Sequence, residues 1–311
     1  MNRIYMSLET NPYFNIAAEY QLFQETTEGT SLFLWRNEPS VIFGRNQNIF
    51  AECNEVYLKK HGIYPVRRFS GGGAVFHDLG NVNFTFLAKE QDAEIDRYVK
   101  ILRHAVLLLG IECTFTGRND LLIDGKKFSG HAYYAEDGNF LYHGTIMVNV
   151  DLHMLTAALR PSRLKLESKG ISSVRSRVVN LAQIGLGITA ESVQNALMEA
   201  FAQEYPVEMP PIRMDRKTMQ PSAYERIRQD DWIYGEAPDF DISFEKKLSF
   251  GNIAVSADVS GGKIVRARIY TDSLLATDYA PLEHALAGKL FRKDALVDAI
   301  EHYTKTGSTD F

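Results

Sequence analysis

Two periodicities meet in residues 81–109, and together they constrain the fold more than any other stretch of the chain. In 81–86, Val82, Phe84 and Phe86 alternate with Asn83 and Thr85, the two-residue repeat of a strand with one buried face. In 93–109, Ile95, Tyr98, Val99, Leu102, Val106 and Leu109 fall three and four residues apart before Gly110, which marks a helix with one apolar stripe. That stripe needs a sheet to lie on, so helices and strands share one core.

The surrounding sequence fits this mixture. Strands are predicted at 31–35, 40–44, 64–68, 74–77, 111–116 and 140–150. Those at 121–123 and 126–129 are joined by Asp124-Gly125, a dipeptide suited to a type I′ turn. Asn54 opens a helix that Gly62 ends, and Asp151 caps another that runs to Leu159 and is blocked by Pro161. Residues 160–177 are basic with little apolar periodicity, which predicts a surface segment. A helix is predicted at 189–205, a proline-rich loop at 206–221, a short helix at 223–232 and a boundary near 238–247. Beyond it, alternating residues in 252–259 and 263–270 flank Ser260-Gly261-Gly262, a hairpin that helices at 281–289 and 292–303 would cover.

With 311 residues, 45% of them hydrophobic, the chain can bury one large domain plus a smaller one. A formal net charge of -5 argues against a general nucleic-acid or membrane-surface binder. Cys53 and Cys113 form no CxxC pair and no His/Cys cluster, which excludes a disulfide scaffold and a structural zinc site and fits a reducing cytoplasm. The N-terminus has no apolar signal core, and no run approaches the roughly 18 apolar residues that span a bilayer.

Chemistry concentrates in Arg67-Arg68-Phe69-Ser70-Gly71-Gly72-Gly73-Ala74-Val75-Phe76-His77-Asp78. Three glycines can turn successive N–H groups towards one point, and guanidinium groups beside them match phosphate or carboxylate. The same run also suits a glycine-rich hairpin with solvated arginines. It satisfies neither the P-loop nor the G-x-G-x-x-G spacing. Asp120 suits a metal carboxylate or a turn. Lys127, ahead of Phe128-Ser129-Gly130, shares a strand face with Ser129 and suits either a ligand cation or a snorkelling surface lysine. His143-Gly144-Thr145 is open between a core hydrogen bond and a ligand contact. Cys53 stands next to a helix start with no histidine in an obvious partner segment, Cys113 alternates with Ile111 and Phe115 as a small buried hydrophobe, and no G-x-S-x-G or H-E-x-x-H motif is present.

Taken in order, the glycine run with Leu79-Gly80-Asn81, then Gly117-Arg118-Asn119-Asp120, Lys127-Phe128-Ser129-Gly130, His143-Gly144-Thr145 and Lys169-Gly170-Ile171-Ser172-Ser173-Val174-Arg175-Ser176-Arg177-Val178 resemble the bacterial lipoate–protein ligase family. The resemblance implies an α+β fold, with a large mixed-sheet catalytic domain of the biotin/lipoate ligase type at 1–240 and a small α+β C-terminal accessory domain at 248–311. It implies that lipoate and MgATP give lipoyl-adenylate and pyrophosphate, after which a lysine of a lipoyl domain displaces AMP. The acceptors would be lipoyl domains of 2-oxoacid dehydrogenase complexes and the glycine-cleavage H protein, in the cytoplasm, with no nucleic acid or membrane involved.

Carried over by motif, Lys127 is the catalytic cation. Arg68, Gly73, Ala74, Val75, Phe76, Lys127, Ser129 and His143 bind ATP or the adenylate, and Lys127, Gly73 and His77 bind lipoate. Lys165, Lys169, Gly170 and Val174 form an adenylate lid, and Asp120 is the metal candidate. Trp35, Val75 and Phe76 are candidates for the acyl groove, the glycines should face the adenylate, and a hinge through 238–247 would let the small module swing. The rival reading is an ATP-independent octanoyl or lipoyl acyltransferase working through a cysteine thioester; biotin ligation and a non-catalytic sensor are more distant alternatives.

Overall fold

The computed structural model describes residues 1–116, 119–160, 177–234, 242–260 and 262–309. A mixed sheet of eight strands forms its centre: β1 (Arg3–Ser7), β2 (Ser31–Trp35), β6 (Asn81–Lys89), β7 (Thr114–Phe115), β8 (Asp120–Ile123), β9 (Lys126–Glu136), β10 (Asn139–Met147) and β11 (Ile212–Met214), in the order β11-β1-β2-β6-β10-β9-β8-β7. The β11-β1-β2 edge is parallel, and β6, β10 and β9 pair antiparallel. A second sheet, β4-β3-β5, is built from β3 (Ser40–Phe43), β4 (Tyr64–Arg67) and β5 (Val75–His77).

The large sheet is covered on both faces. The helix expected at 93–109 is α4 (Ile95–Leu108), which packs with α6 (Ala190–Glu204) over Val82, Phe84 and Phe86. The opposite face meets α1 (Pro12–Gln24) and the second sheet. Residues 81–88 of β6 are therefore all buried, rather than along one face as expected. Its alternation separates an apolar core from a polar interior, since Asn83 and Thr85 are 1% and 0% exposed.

Helix α1 has no counterpart among the helices expected from sequence. It is capped by Asn11, which accepts from the Phe14 N–H ahead of Pro12. Its buried residues run almost all round it, which leaves no apolar stripe to detect. Strand β11 lies inside the segment read as a proline-rich loop.

The short helices α2 (Ile49–Glu52), α3 (Glu55–His61) and α5 (Leu152–Ala158) flank the second sheet. Asp151 caps α5, and Asp124 and Gly125 take the positive φ angles of the primed turn. The short helix expected at 223–232 divides into α7 (Tyr224–Ile227) and α8 (Asp230–Ile233).

The C-terminal residues make a third sheet, β12 (Ile242–Leu248), β13 (Gly251–Ser260) and β14 (Lys263–Thr271), under α9 (Ala280–Leu286) and α10 (Lys293–Thr306), with its own core of Ile253, Val255, Ile269, Leu282 and Ile300. Residues 242–247, read from sequence as part of a boundary, are a strand paired with β13. Edge strands commonly carry charge, and Glu245, Lys246 and Lys247 hid this one.

Candidate active site

A cavity of about 560 Å³ opens where the two sheets of the large unit meet the third. Its walls include Arg68, Gly73, Ala74, Val75 and His77 from the glycine run, Asp120 and Lys127 from β8 and β9, His143 from β10, and Lys247, Asn252 and Asp272 from the third sheet and the turn after it. Ile16, Trp35, Ile42 and Val75 supply apolar wall. Phe76 instead packs in the core beneath the second sheet, and Ser129 is buried against His131. Lys165, Lys169, Gly170 and Val174 lie outside the described residues.

The adjacent arginines do different work. The Arg67 side chain donates to the carbonyls of Arg45, Gln47, Trp232 and Ile233 at 2.7–2.9 Å, tying the 44–47 loop to α8. Arg68 reaches the cavity and gathers the loop: Nε donates to Ser70 Oγ at 3.0 Å, Nη1 to the Ile42 carbonyl at 3.1 Å, and Nη2 to the Gly71 and Gly73 carbonyls at 2.6 and 2.9 Å. Burial pushes its pKa down to about 10, with Glu19 opposing the shift, so it stays charged at neutral pH.

Contrary to the expectation from sequence, the glycines do not all face the cavity: Gly72 and Gly73 line it and Gly71 does not. A Cβ on Gly71 would lie 2.5 Å from the Ser273 carbonyl oxygen and 2.9 Å from those of Leu274 and Leu275, so only glycine fits under that turn. The Gly72 N–H donates to the Ser273 carbonyl at 2.5 Å. Two further bonds hold the same surfaces together: the Thr271 N–H to the Asn46 carbonyl at 2.9 Å, and Asn46 Nδ2 to the Thr277 carbonyl at 2.8 Å. The C-terminal unit thus sits against the glycine loop, over Gly71 and Gly72.

Lys127 is about one-third exposed, and its Nζ lies 2.7 Å from Asp120 Oδ1. Gly130 makes this possible, because a Cβ there would stand 2.5 Å from Nζ. No group of three His, Cys, Asp or Glu among the described residues could hold a metal ion, and Asp120 serves as the counter-ion of Lys127.

Three buried histidines occupy distinct settings. The His77 Nδ1 accepts from Asn37 Nδ2 at 3.2 Å, given that the Asn37 oxygen receives Asn15 Nδ2. Burial, with Arg68 and His143 adding to it, lowers its pKa to about 3. His131 lies between Ser129 and Tyr142 and is likewise lowered to about 3, by burial and then by Lys127. His143 joins Glu19 and Ser70, at 2.8 Å each. Burial pushes the Cys53 thiol up to about 12 and raises that of Cys113, so neither is disposed to act as a thiolate. Glu19 and Asn37 were not singled out in the sequence, although a carboxylate in so apolar a helix as α1 was a usable signal.

Residues 11–202 match the family model of the lipoyl protein ligase A/B catalytic domain, and residues 237–309 that of the bacterial lipoate protein ligase C-terminus. The lipoate-protein ligase A of Bdellovibrio bacteriovorus is 36% identical over 308 residues, covering 96% of this chain and 91% of that protein. Among solved structures, P. falciparum LipL1 in complex with lipoate superposes with a TM-score of 0.81 at 30% identity, covering 100% of this chain and 96% of that one. A bipartite lipoate protein ligase from Thermoplasma acidophilum, solved with its E2 lipoyl domain, gives a TM-score of 0.67 at 26% identity, over 78% of this chain and 100% of that chain. No helix among the described residues is long and apolar enough to cross a membrane.

Proposed function

This chain belongs to the lipoate–protein ligase family, and we propose that it activates lipoate with ATP and transfers the lipoyl group to a lysine of a carrier domain. In the first step a lipoate carboxylate oxygen attacks the α-phosphorus of ATP, the bond to the bridging oxygen of the β-phosphate breaks, and pyrophosphate leaves. In the second, a neutral lysine amine attacks the acyl carbon, the carbon–oxygen bond to AMP breaks and the amine loses a proton. Both steps need charge compensation and positioning rather than a protein nucleophile.

The observation that carries this reading is Lys127, an ammonium placed in the same cavity as the glycine run and the apolar wall at Trp35. There it would stand between a carboxylate and an α-phosphate and neutralise the charge that develops as they join. Arg68 holds the loop in shape, and Gly73, Ala74 and Val75 offer backbone to the nucleotide; His77 and the apolar wall face the acyl chain. Lys165, Lys169, Gly170 and Val174 are the residues that the family pattern offers to the adenylate. Mg²⁺ would travel on the oxygens of ATP, because the Asp120 carboxylate is engaged by Lys127 at 2.7 Å, and no step here depends on the metal.

The division into 1–240 and 248–311 and the choice of lipoyl domains of 2-oxoacid dehydrogenase complexes and H protein as acceptors belong to the same proposal. A thioester route is disfavoured by the burial of Cys53 and Cys113. Pyrophosphate release measured in parallel with lipoate, octanoate and biotin tests the reading: release with lipoate supports it, and release with biotin alone removes it.

A further inference from the structure

Behind the cavity wall lies a hydrogen-bonded relay whose central residues, Glu19, His143 and Ser70, take no part in the reaction as described above. Its direction follows from Trp35 and Arg68, which can only donate, and from the Glu19 carboxylate, which can only accept and so draws the hydrogen of a neutral imidazole to His143 Nδ1, leaving Nε2 as the acceptor. The Trp35 indole N–H donates to Thr85 Oγ1 at 3.2 Å, so the Thr85 hydroxyl turns its hydrogen to Glu19 Oε1, at 2.5 Å. At the other end Arg68 Nε donates to Ser70 Oγ at 3.0 Å, and the Ser70 hydroxyl passes its hydrogen to His143 Nε2 at 2.8 Å. The His143 Nδ1–H then donates to Glu19 Oε1 at 2.8 Å. Two donor runs, one from each side of the cavity, converge on one carboxylate oxygen.

Carboxylate, imidazole and hydroxyl in this order resemble a nucleophilic triad. Ser70 is not placed for that role: it is 1% exposed, and it is His143, not Ser70, that lines the cavity. What the relay does connect is two walls. Trp35 belongs to the wall proposed for the acyl chain and His143 lines the same cavity, while Arg68, which Ser70 holds through Nε, fixes the carbonyls of Gly71 and Gly73 and hence the set of the nucleotide loop. Every linking side chain is at least nine-tenths buried, and buried networks of this kind hold one arrangement tightly because each unmade bond costs about 1–3 kcal/mol.

We infer that Glu19, His143 and Ser70 are positioning residues that couple the acyl wall to the nucleotide loop, so that each substrate strengthens the binding of the other. The inference rests on the proposed lipoate and ATP reading. An acyl chain seated against Trp35 and His143 restricts the relay, and the restriction reaches the Gly71–Gly73 backbone through Ser70 and Arg68. Coupling of this kind is reciprocal and commonly about 5–150-fold.

The test is a binding cycle by calorimetry on the full chain, using α,β-methylene-ATP with and without lipoate, in the unaltered protein and in Ser70→Ala, Glu19→Ala and Glu19→Gln. The unaltered protein should bind the analogue more tightly when lipoate is present, within the range above. Ser70→Ala and Glu19→Ala should bind lipoate alone as before and lose the enhancement; Glu19→Gln, whose amide oxygen accepts the same two bonds, should keep it. Equal weakening of analogue binding with and without lipoate, leaving the enhancement intact in Ser70→Ala, overturns the inference, as does an unaltered protein that binds both ligands independently. Failure of the unaltered protein to bind either ligand overturns the underlying reading and the inference with it. Because Ser70→Ala removes one oxygen, circular dichroism and the lipoate affinity itself report whether the fold survives.

Discussion

Replacing Lys127 with methionine separates catalysis from stability. The substitution keeps an unbranched stem and removes the charge that lies 2.7 Å from Asp120. Lys127 and Asp120 are both about one-third exposed, and pairs screened to that extent are worth about 0–1 kcal/mol, so the folded state should lose no more than about 1 kcal/mol. The loss in the chemical step is larger. Removing one group aimed at developing charge commonly lowers kcat by about 10²–10³, equivalent to about 2.7–4 kcal/mol. The two effects therefore differ enough to be read apart by urea unfolding and by continuous pyrophosphate release at saturating lipoate and ATP. The expected result is an almost unchanged unfolding midpoint with a rate at least about a hundredfold lower. A rate within tenfold of the unaltered enzyme, or a loss of stability large enough to explain the fall, would refute the role given to this ammonium.

Three further outcomes follow. Gly130→Ala should displace Lys127, because the new Cβ falls 2.5 Å from a mobile ammonium rather than from backbone; activity drops while the melting temperature moves little, and an active Gly130→Ala enzyme counts against the geometry. His77 and His131, with pKa values lowered from 6.5 to about 3, stay neutral in the folded chain while the unfolded chain takes up protons below 6.5. Their stability contribution is complete above pH 6.5 and is lost as pH falls towards 3, at about 1.4 kcal/mol per pH unit for each imidazole. Urea unfolding between pH 7 and 5 should show that slope, and His77→Asn should remove one share of it; an unchanged slope contradicts the buried neutral state. Finally, the C-terminal unit is held on the glycine loop by the Gly72, Thr271 and Asn46 hydrogen bonds, and a loop that reshapes around the nucleotide at Gly73–Val75 should loosen them, so adenylate formation should alter the small-angle scattering profile. Superimposable profiles with and without adenylate speak against that loosening.

The elements that were legible in the sequence are those whose periodicity answers to a single surface. Helix α4 announced itself because one stripe meets the sheet. Helix α1 did not, because it is enclosed between the large sheet and its cover, and with it Glu19, the centre of the relay, went unnoticed. Strand β6 was found but half understood: its polar positions face an interior of Glu19, Trp35 and the cavity rather than solvent. Local motif chemistry located the glycine run and Lys127, yet adjacency could not tell that Arg67 would hold α8 while Arg68 shaped the loop. The bond from Gly72 to Ser273 spans two hundred residues of chain, and no short-range pattern encodes it.

The central claim, that this chain makes a lipoyl-adenylate and passes it to a carrier lysine, is tested most directly by incubating it with lipoate, ATP and a purified lipoyl domain and weighing the domain by mass spectrometry. The expected result is a mass increase of one lipoyl group that requires ATP, is accompanied by pyrophosphate and AMP, and is insensitive to iodoacetamide. Modification that proceeds without ATP and is abolished by iodoacetamide would contradict it.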